Sequence, residues 1–143
     1  MKRKKAAAIV EKPGEPLVHQ PFVRQDYLAA AGVFLAALFV YWLTLAPTVT
    51  GEDSGELIAA AYTLGIPHPP GYPLWCLLAK LFTIILPFGN VAVRVAAMSA
   101  FWAAGTAALL TLILIRLVRL RAAGAAGALA FAFSDVFWSQ SNI

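Results

Sequence analysis

From residue 28 to residue 46 the chain reads "LAAAGVFLAALFVYWLTLA" without one charged side chain. A helix needs about 20 apolar residues to cross ~30 Å of hydrocarbon. Lipid offers no partners to backbone N–H and C=O groups, so such a run must pair them within itself, as a helix. Tyr41 and Trp42 fall late in the run, where aromatic anchors meet the interface. The composition agrees: 61% hydrophobic, 13% charged, against about 25% charged in an ordinary soluble domain. The expected fold class is an all-α membrane protein. A length of 143 residues allows one small bundle of spans, not a bundle with a soluble domain beside it.

Residues 1–26 are polar and basic, with Lys2, Arg3, Lys4, Lys5, Lys12 and Arg24. Under the positive-inside rule they read as a cytoplasmic tail. No aromatic interleaving or folded basic module accompanies them, so nucleic acid is not an expected partner. A secretory signal would set its basic region beside an apolar core of about 7–15 residues; here the tail and the core are both longer. Cys76 is the only cysteine, which excludes an internal disulfide and a cysteine-based metal site.

Two further spans are expected, at about 94–118 and 122–138. In the second, Gly124 and Ala128 suit close helix packing. The ambiguous segment is 72–88, "YPLWCLLAKLFTIILPF". If it crossed, Arg116, Arg119 and Arg121 would lie outside. If it stays at the interface, all three are cytoplasmic, and only Lys80 and Arg94 are external. Positive-inside favours the second arrangement. It gives three spans, with 47–93 as a long first external loop carrying juxtamembrane helices.

That loop opens with "GEDSGELIAAAYTLGIPHPPGYP". Residues 53–64 read as a short helix, with Leu57, Ala60, Ala61 and Leu64 on one face and Gly65 as its stop. One reading of the acids is structural: Asp53 as N-cap and Glu56 as its capping-box partner. The other is chemical. Glu52, Asp53 and Glu56 follow a span, so a base there meets lipid-borne and water-borne substrates together. Pro69, Pro70, Gly71 and Pro73 fix a turn that holds His68 at a polar edge. Lys80 and Arg94 either snorkel to headgroups or bind the phosphate of a lipid-linked donor. Glu52, Asp53, Glu56 and His68 offer ligands to a hard divalent cation, although no fixed-spacing metal motif is present. Asp135, near the end of the last span, is either an intramembrane functional acid or a solvated end residue.

The order of these parts resembles a known family. A basic tail precedes one span, then come "GEDSGELI", "HPPGYPLW", an apolar helix, Arg94 opening a span, and "FSDVFWSQS". This is similar to the N-terminal part of GT-C-fold integral-membrane glycosyltransferases. It is closest to the bacterial family labelled domain of unknown function 2723, or glycosyltransferase family 117, related to protein O-mannosyltransferases. The resemblance implies a polyprenyl-phosphate sugar donor (mannose being one candidate sugar), a protein or glycan acceptor hydroxyl, surrounding membrane lipid, and work on the external face of a bacterial inner membrane. It implies that Asp53 is the essential acid and Glu56 the second acid of its motif. His68, Pro69, Pro70 and Gly71 match the motif that approaches the lipid phosphate, with His68 where the family usually has lysine. Members are much longer, so the chain is expected to be an N-terminal portion, lacking most of the donor and acceptor sites and inactive alone.

Two other classes compete. A non-enzymatic membrane subunit or scaffold would use the loop only to cap a helix. A transporter would set its acids at mid-membrane in broken helices, whereas these follow a complete span.

Overall fold

The computed structural model describes residues 21–51 and 53–142; most of the basic tail, and Glu52, lie outside the described residues. Six helices follow in order: α1 (Arg24–Leu43), α2 (Ser54–Thr63), α3 (Pro73–Ile85), α4 (Val91–Val118), α5 (Arg121–Ala132) and α6 (Asp135–Ser141). No strand occurs among the described residues. The all-helical membrane fold expected from the sequence is therefore present. α1 and α4 are each long and apolar enough to cross a membrane, and α5 with α6 is a bent pair that qualifies as a third span when taken together.

α1 starts four residues before the uncharged run. Asp26 makes this extension work: its Oδ2 accepts a hydrogen bond from the Val23 amide at 3.0 Å, capping the first turn. α1 buries Ala30, Val33, Ala37 and Tyr41, at the three- and four-residue spacing of one helix face. α4 answers with Ala100, Ala104, Ala107, Thr111 and Ile115. The seam is mostly alanine, which lets the backbones approach closely where burial from water supplies little driving force. α5 completes the core through Ala128 and Ala132. Its Gly124 lies against α4 so tightly that a Cβ there would sit 2.9 Å from the Ile115 backbone nitrogen.

The expected single span at 122–138 is broken. α5 and α6 meet at 68°. The cause is local: the Ser134 hydroxyl turns back to donate to the Phe131 carbonyl at 2.8 Å, competing with helix continuation, and Asp135 opens a new first turn. The bend leaves the Ala132 carbonyl to Tyr41, whose buried hydroxyl donates to it at 2.7 Å. Trp138 Nε1 donates to Thr44 Oγ1 at 3.2 Å, so α6 lies across the end of α1.

The segment 72–88 forms α3, and 13 residues rise about 20 Å, short of the ~30 Å hydrocarbon core. α2 and α3 instead pack on the start of α4 through Ala61, Ala79, Val95 and Met98. The bundle consequently has two chemically distinct ends. At one, Arg121 Nε donates to Asp26 Oδ1 at 2.6 Å and the Arg116 guanidinium sits 4.1 Å from the Phe22 ring centroid. At the other, the α2–α3 segment carries Asp53, Glu56 and His68.

Candidate active site

Asp53 and Glu56 stand one turn apart at the start of α2, so their side chains share a helix face. α2 stops at Leu64, whose φ of 57° is left-handed; Gly65, the expected stop, follows it and donates its amide to the Ala60 carbonyl at 2.9 Å. The chain then doubles back and brings His68 to the acids. The His68 amide donates to Glu56 Oε1 at 2.7 Å, and His68 Nδ1 lies 3.0 Å from Glu56 Oε2. His68 Nε2 faces Asp53 Oδ2 at 3.8 Å. A carboxylate can only accept, so Glu56 places a proton on Nδ1. The hydrogen bond to Glu56 raises the His68 pKa above the ordinary histidine value. The same bond lowers Glu56 below the usual carboxylate range.

This geometry disposes of the capping-box reading. Asp53 occupies the N-cap position without a side-chain cap bond, and Glu56 spends both oxygens on His68. Ser54 does the local structural work instead: its buried hydroxyl donates to the Thr50 carbonyl at 2.7 Å. The acids are thus left free of the helix terminus.

The proline turn positions His68 as expected. The Gly71 amide donates to the His68 carbonyl at 3.0 Å, closing a turn around the cis Pro69–Pro70 bond. Gly71 has φ 86° and Tyr72 φ 43°. Glycine adopts the left-handed region freely, whereas for Tyr72 it costs about 1–2 kcal/mol. The result is a Tyr72 ring edge-on to His68, centroids 5.7 Å apart, and α3 launched by Pro73 at its first turn.

Asp53 and His68 open onto a cavity of about 290 Å³ whose lining includes Ser54, Tyr72, Trp75 and Gln140. α2, the turn, α3 and α6 all contribute. Lys80 and Arg94 do not join this cluster. Lys80 Nζ donates to the Tyr62 carbonyl at 2.5 Å and lies 4.7 Å from the Tyr62 ring centroid, closing the end of α2. Arg94 donates through Nη1 to the Thr83 carbonyl at 2.9 Å and through Nε to Gly89 at 3.1 Å, closing the end of α3. Both cations serve carbonyls that helix ends leave unsatisfied. Asp135 is exposed in the first turn of α6.

One oxygen each from Asp53 and Glu56 and one ring nitrogen of His68 lie within 4.8 Å of one another. A hard cation would find two carboxylates and one imidazole there, a donor set suited to Mg²⁺ or Mn²⁺. Entry of a cation at Nδ1 would displace its proton and break the Glu56 bond.

The sequence of this region carries a family signature. Residues 53–143 match the family described as "Protein O-mannosyl-transferase TMEM260 N-terminal domain". The chain belongs to that family. The match starts at Asp53, so it spans the acids, the proline turn and the broken α5–α6 pair. Protein O-mannosyl-transferase TMEM260 of Mus musculus is 44% identical over 112 residues, covering 78% of this chain and 16% of its own length. Protein O-mannosyl-transferase tmem260 of Dictyostelium discoideum is 32% identical over 108 residues, covering 74% of this chain and 13% of its own. The chain thus spans less than a fifth of the length of these relatives. No solved structure matches it. The motif resemblance is met at the level of protein O-mannosyl-transferases, through the TMEM260 N-terminal domain.

Within this TMEM260 N-terminal domain, sequence reasoning singled out Asp53, Glu56 and His68, and these do converge. It passed over Tyr72, Trp75 and Gln140. The first two sit inside "HPPGYPLW" and the third inside "FSDVFWSQS". The signal for Gln140 was the Ser134–Asp135 pair, a helix-start dipeptide within an apolar run.

Proposed function

We propose that the chain forms the N-terminal part of a polytopic membrane glycosyltransferase. It moves a sugar, mannose by analogy with its relatives' name, from a polyprenyl-phosphate donor to a protein hydroxyl on the external face. One observation carries this reading: Asp53 and His68, the latter held by Glu56, line a cavity on the end of the bundle opposite Arg116 and Arg121. The positive-inside rule puts the arginine end in the cytoplasm. The acids then face outward, beside the membrane surface.

The reaction is a single displacement. The acceptor oxygen attacks the anomeric carbon as the bond from that carbon to the phosphate oxygen breaks. The phosphate leaves with the electron pair, and Asp53 takes the acceptor's proton as general base. His68, held protonated by Glu56, offers a positive charge and the Nε2 proton to the leaving phosphate. Glu56 is a positioning residue for His68. Lys80 and Arg94 act through the fold, by fixing the ends of α2 and α3 around the site.

Asp53→Asn tests the reading. Asn is isosteric and a favourable N-cap, and Asp53 makes no side-chain cap bond, so folding should be unchanged. Transfer by the whole protein in membranes should fall by about 10²–10⁴-fold, the usual worth of a general base. Wild-type transfer rates in the variant would overturn the assignment.

A further inference from the structure

The cavity in front of Asp53 and His68 contains more polar capacity than the transfer step uses. Gln140 reaches it from α6, and Tyr72 and Trp75 from the proline turn and α3. Asp53 and Gln140 are far apart in sequence, and only the 68° bend after α5 brings α6 across. The clamp of Trp138 on Thr44 holds it there. Gln140 and Tyr72 are exposed and Trp75 is half-buried, and among the described residues the Gln140 carboxamide, the Tyr72 hydroxyl and the Trp75 indole N–H have no protein hydrogen-bond partner. Trp75 is otherwise anchored, packed against Ala61, Ala79, Val95 and Met98.

A rigid aromatic wall beside unpaired donors and acceptors fits a polyhydroxylated ring. Aromatic faces take the C–H face of such a ring, and the polar ends take its hydroxyls. A carboxamide both donates and accepts, so it can bond two neighbouring hydroxyls and is sensitive to whether one is axial or equatorial. A site built to bond a hydroxyl rejects an analogue lacking it far better than an apolar pocket does.

We propose that Gln140, delivered by the broken third span, is a specificity-determining residue that reads the hydroxyls of the donor's hexosyl group while Trp75 and Tyr72 wall its ring. This rests on the glycosyl-transfer reading above.

Two measurements on the whole protein test it. In the first, Gln140→Ala is assayed with short-chain polyprenyl-phosphate mannose and glucose. The donor KM should rise about tenfold, the loss of one or two neutral hydrogen bonds, and the ratio of kcat/KM between the two sugars should move toward one. In the second, Gln140→Cys is alkylated with a maleimide, Cys76 being buried. Polyprenyl-phosphate mannose should slow labelling several-fold, and sugar-free polyprenyl phosphate should not. Unchanged donor KM and sugar preference, with transfer intact, overturn the role of Gln140 and leave the transfer reading standing. Absence of transfer in the unmodified protein overturns the transfer reading instead, and the labelling then decides the subsite alone. Equal labelling with and without the sugar overturns the subsite.

Discussion

Glu56 grips His68 at two points, the backbone amide at 2.7 Å and the ring nitrogen Nδ1 at 3.0 Å. The first contact fixes where the proline turn begins. The second fixes which ring nitrogen carries a proton and turns the other toward Asp53. One carboxylate therefore sets the position of His68 and favours its protonated form. A histidine near neutral pH needs a neighbouring carboxylate to favour a positive charge.

Glu56→Gln separates these roles. Its carboxamide oxygen can still accept from the His68 amide, so the turn should persist. The negative charge that raises the His68 pKa is gone. Transfer should drop by about 10–10²-fold, at the lower end of what an acid–base group contributes, with most of the loss in kcat. Glu56→Ala should lose the turn anchor as well and raise the donor KM. Equal effects of the two substitutions on both parameters would mean that Glu56 acts only as a structural tie.

The same pair predicts a pH window. Glu56 has a lowered folded pKa, so its contribution is present above the ordinary carboxylate value and is lost as pH falls through the folded one. His68 has a raised folded pKa, so its contribution is full below about 6.5 and is lost as pH rises through the folded value. The pair is intact between these limits. Thermal stability of the wild-type protein minus that of His68→Gln should be greatest at mildly acidic pH and shrink on the alkaline side. A difference independent of pH would show that the imidazole is neutral in the folded protein.

Tyr41 ties the α5–α6 bend to the bundle core. It is fully buried, and its hydroxyl satisfies the Ala132 carbonyl at the α5–α6 bend. Tyr41→Phe leaves that carbonyl without its partner, a loss of about 1–2 kcal/mol. A lowered melting temperature in detergent is expected, together with weaker protection of Gln140→Cys by donor, because the end of α5, from which α6 departs, loses its hydrogen bond to α1. A variant as stable as wild type would mean that the Tyr41 hydrogen bond adds nothing to the stability of the bend.

How much of this was legible in the sequence follows from the range of each interaction. α1 and α4 were readable because a long apolar run in lipid has one solution. The convergence of Asp53, Glu56 and His68 was readable in outline, since helix periodicity and a proline turn are local. The position of Lys80 and Arg94 was not. Each answers helix-end carbonyls, of Tyr62 and Thr83, whose location depends on how α2, α3 and α4 pack. The break between α5 and α6 was masked by hydropathy: Ser134 and Asp135 interrupt an otherwise apolar run, and only their side-chain chemistry marks a restart. The capping box at Asp53 and Glu56 was a sound local inference that a nonlocal partner, His68, outcompeted.

The orientation of the bundle can be measured with two cysteines. Ile66 is 90% exposed, lies in the loop before the proline turn and makes no cap bond. Leu120 is 58% exposed and joins α4 to α5 at the arginine end. Position 90 would be a poor probe, because Asn90 caps α4 by accepting from the Val93 amide at 2.9 Å and removal of such a cap costs about 1 kcal/mol. The native Cys76 is buried and gives little background. In cells whose outer barrier is opened, a membrane-impermeant maleimide should label Ile66→Cys directly. Leu120→Cys should label only after the membrane itself is permeabilised. The arginines Arg116 and Arg121 then lie on the cytoplasmic side and the acids on the external side. The reverse labelling would put Asp53 in the cytoplasm, away from an externally displayed lipid-linked sugar, and would remove the topological support for the proposed reaction. Labelling of both from outside would mean that the α4–α5 connection does not return to the cytoplasmic face.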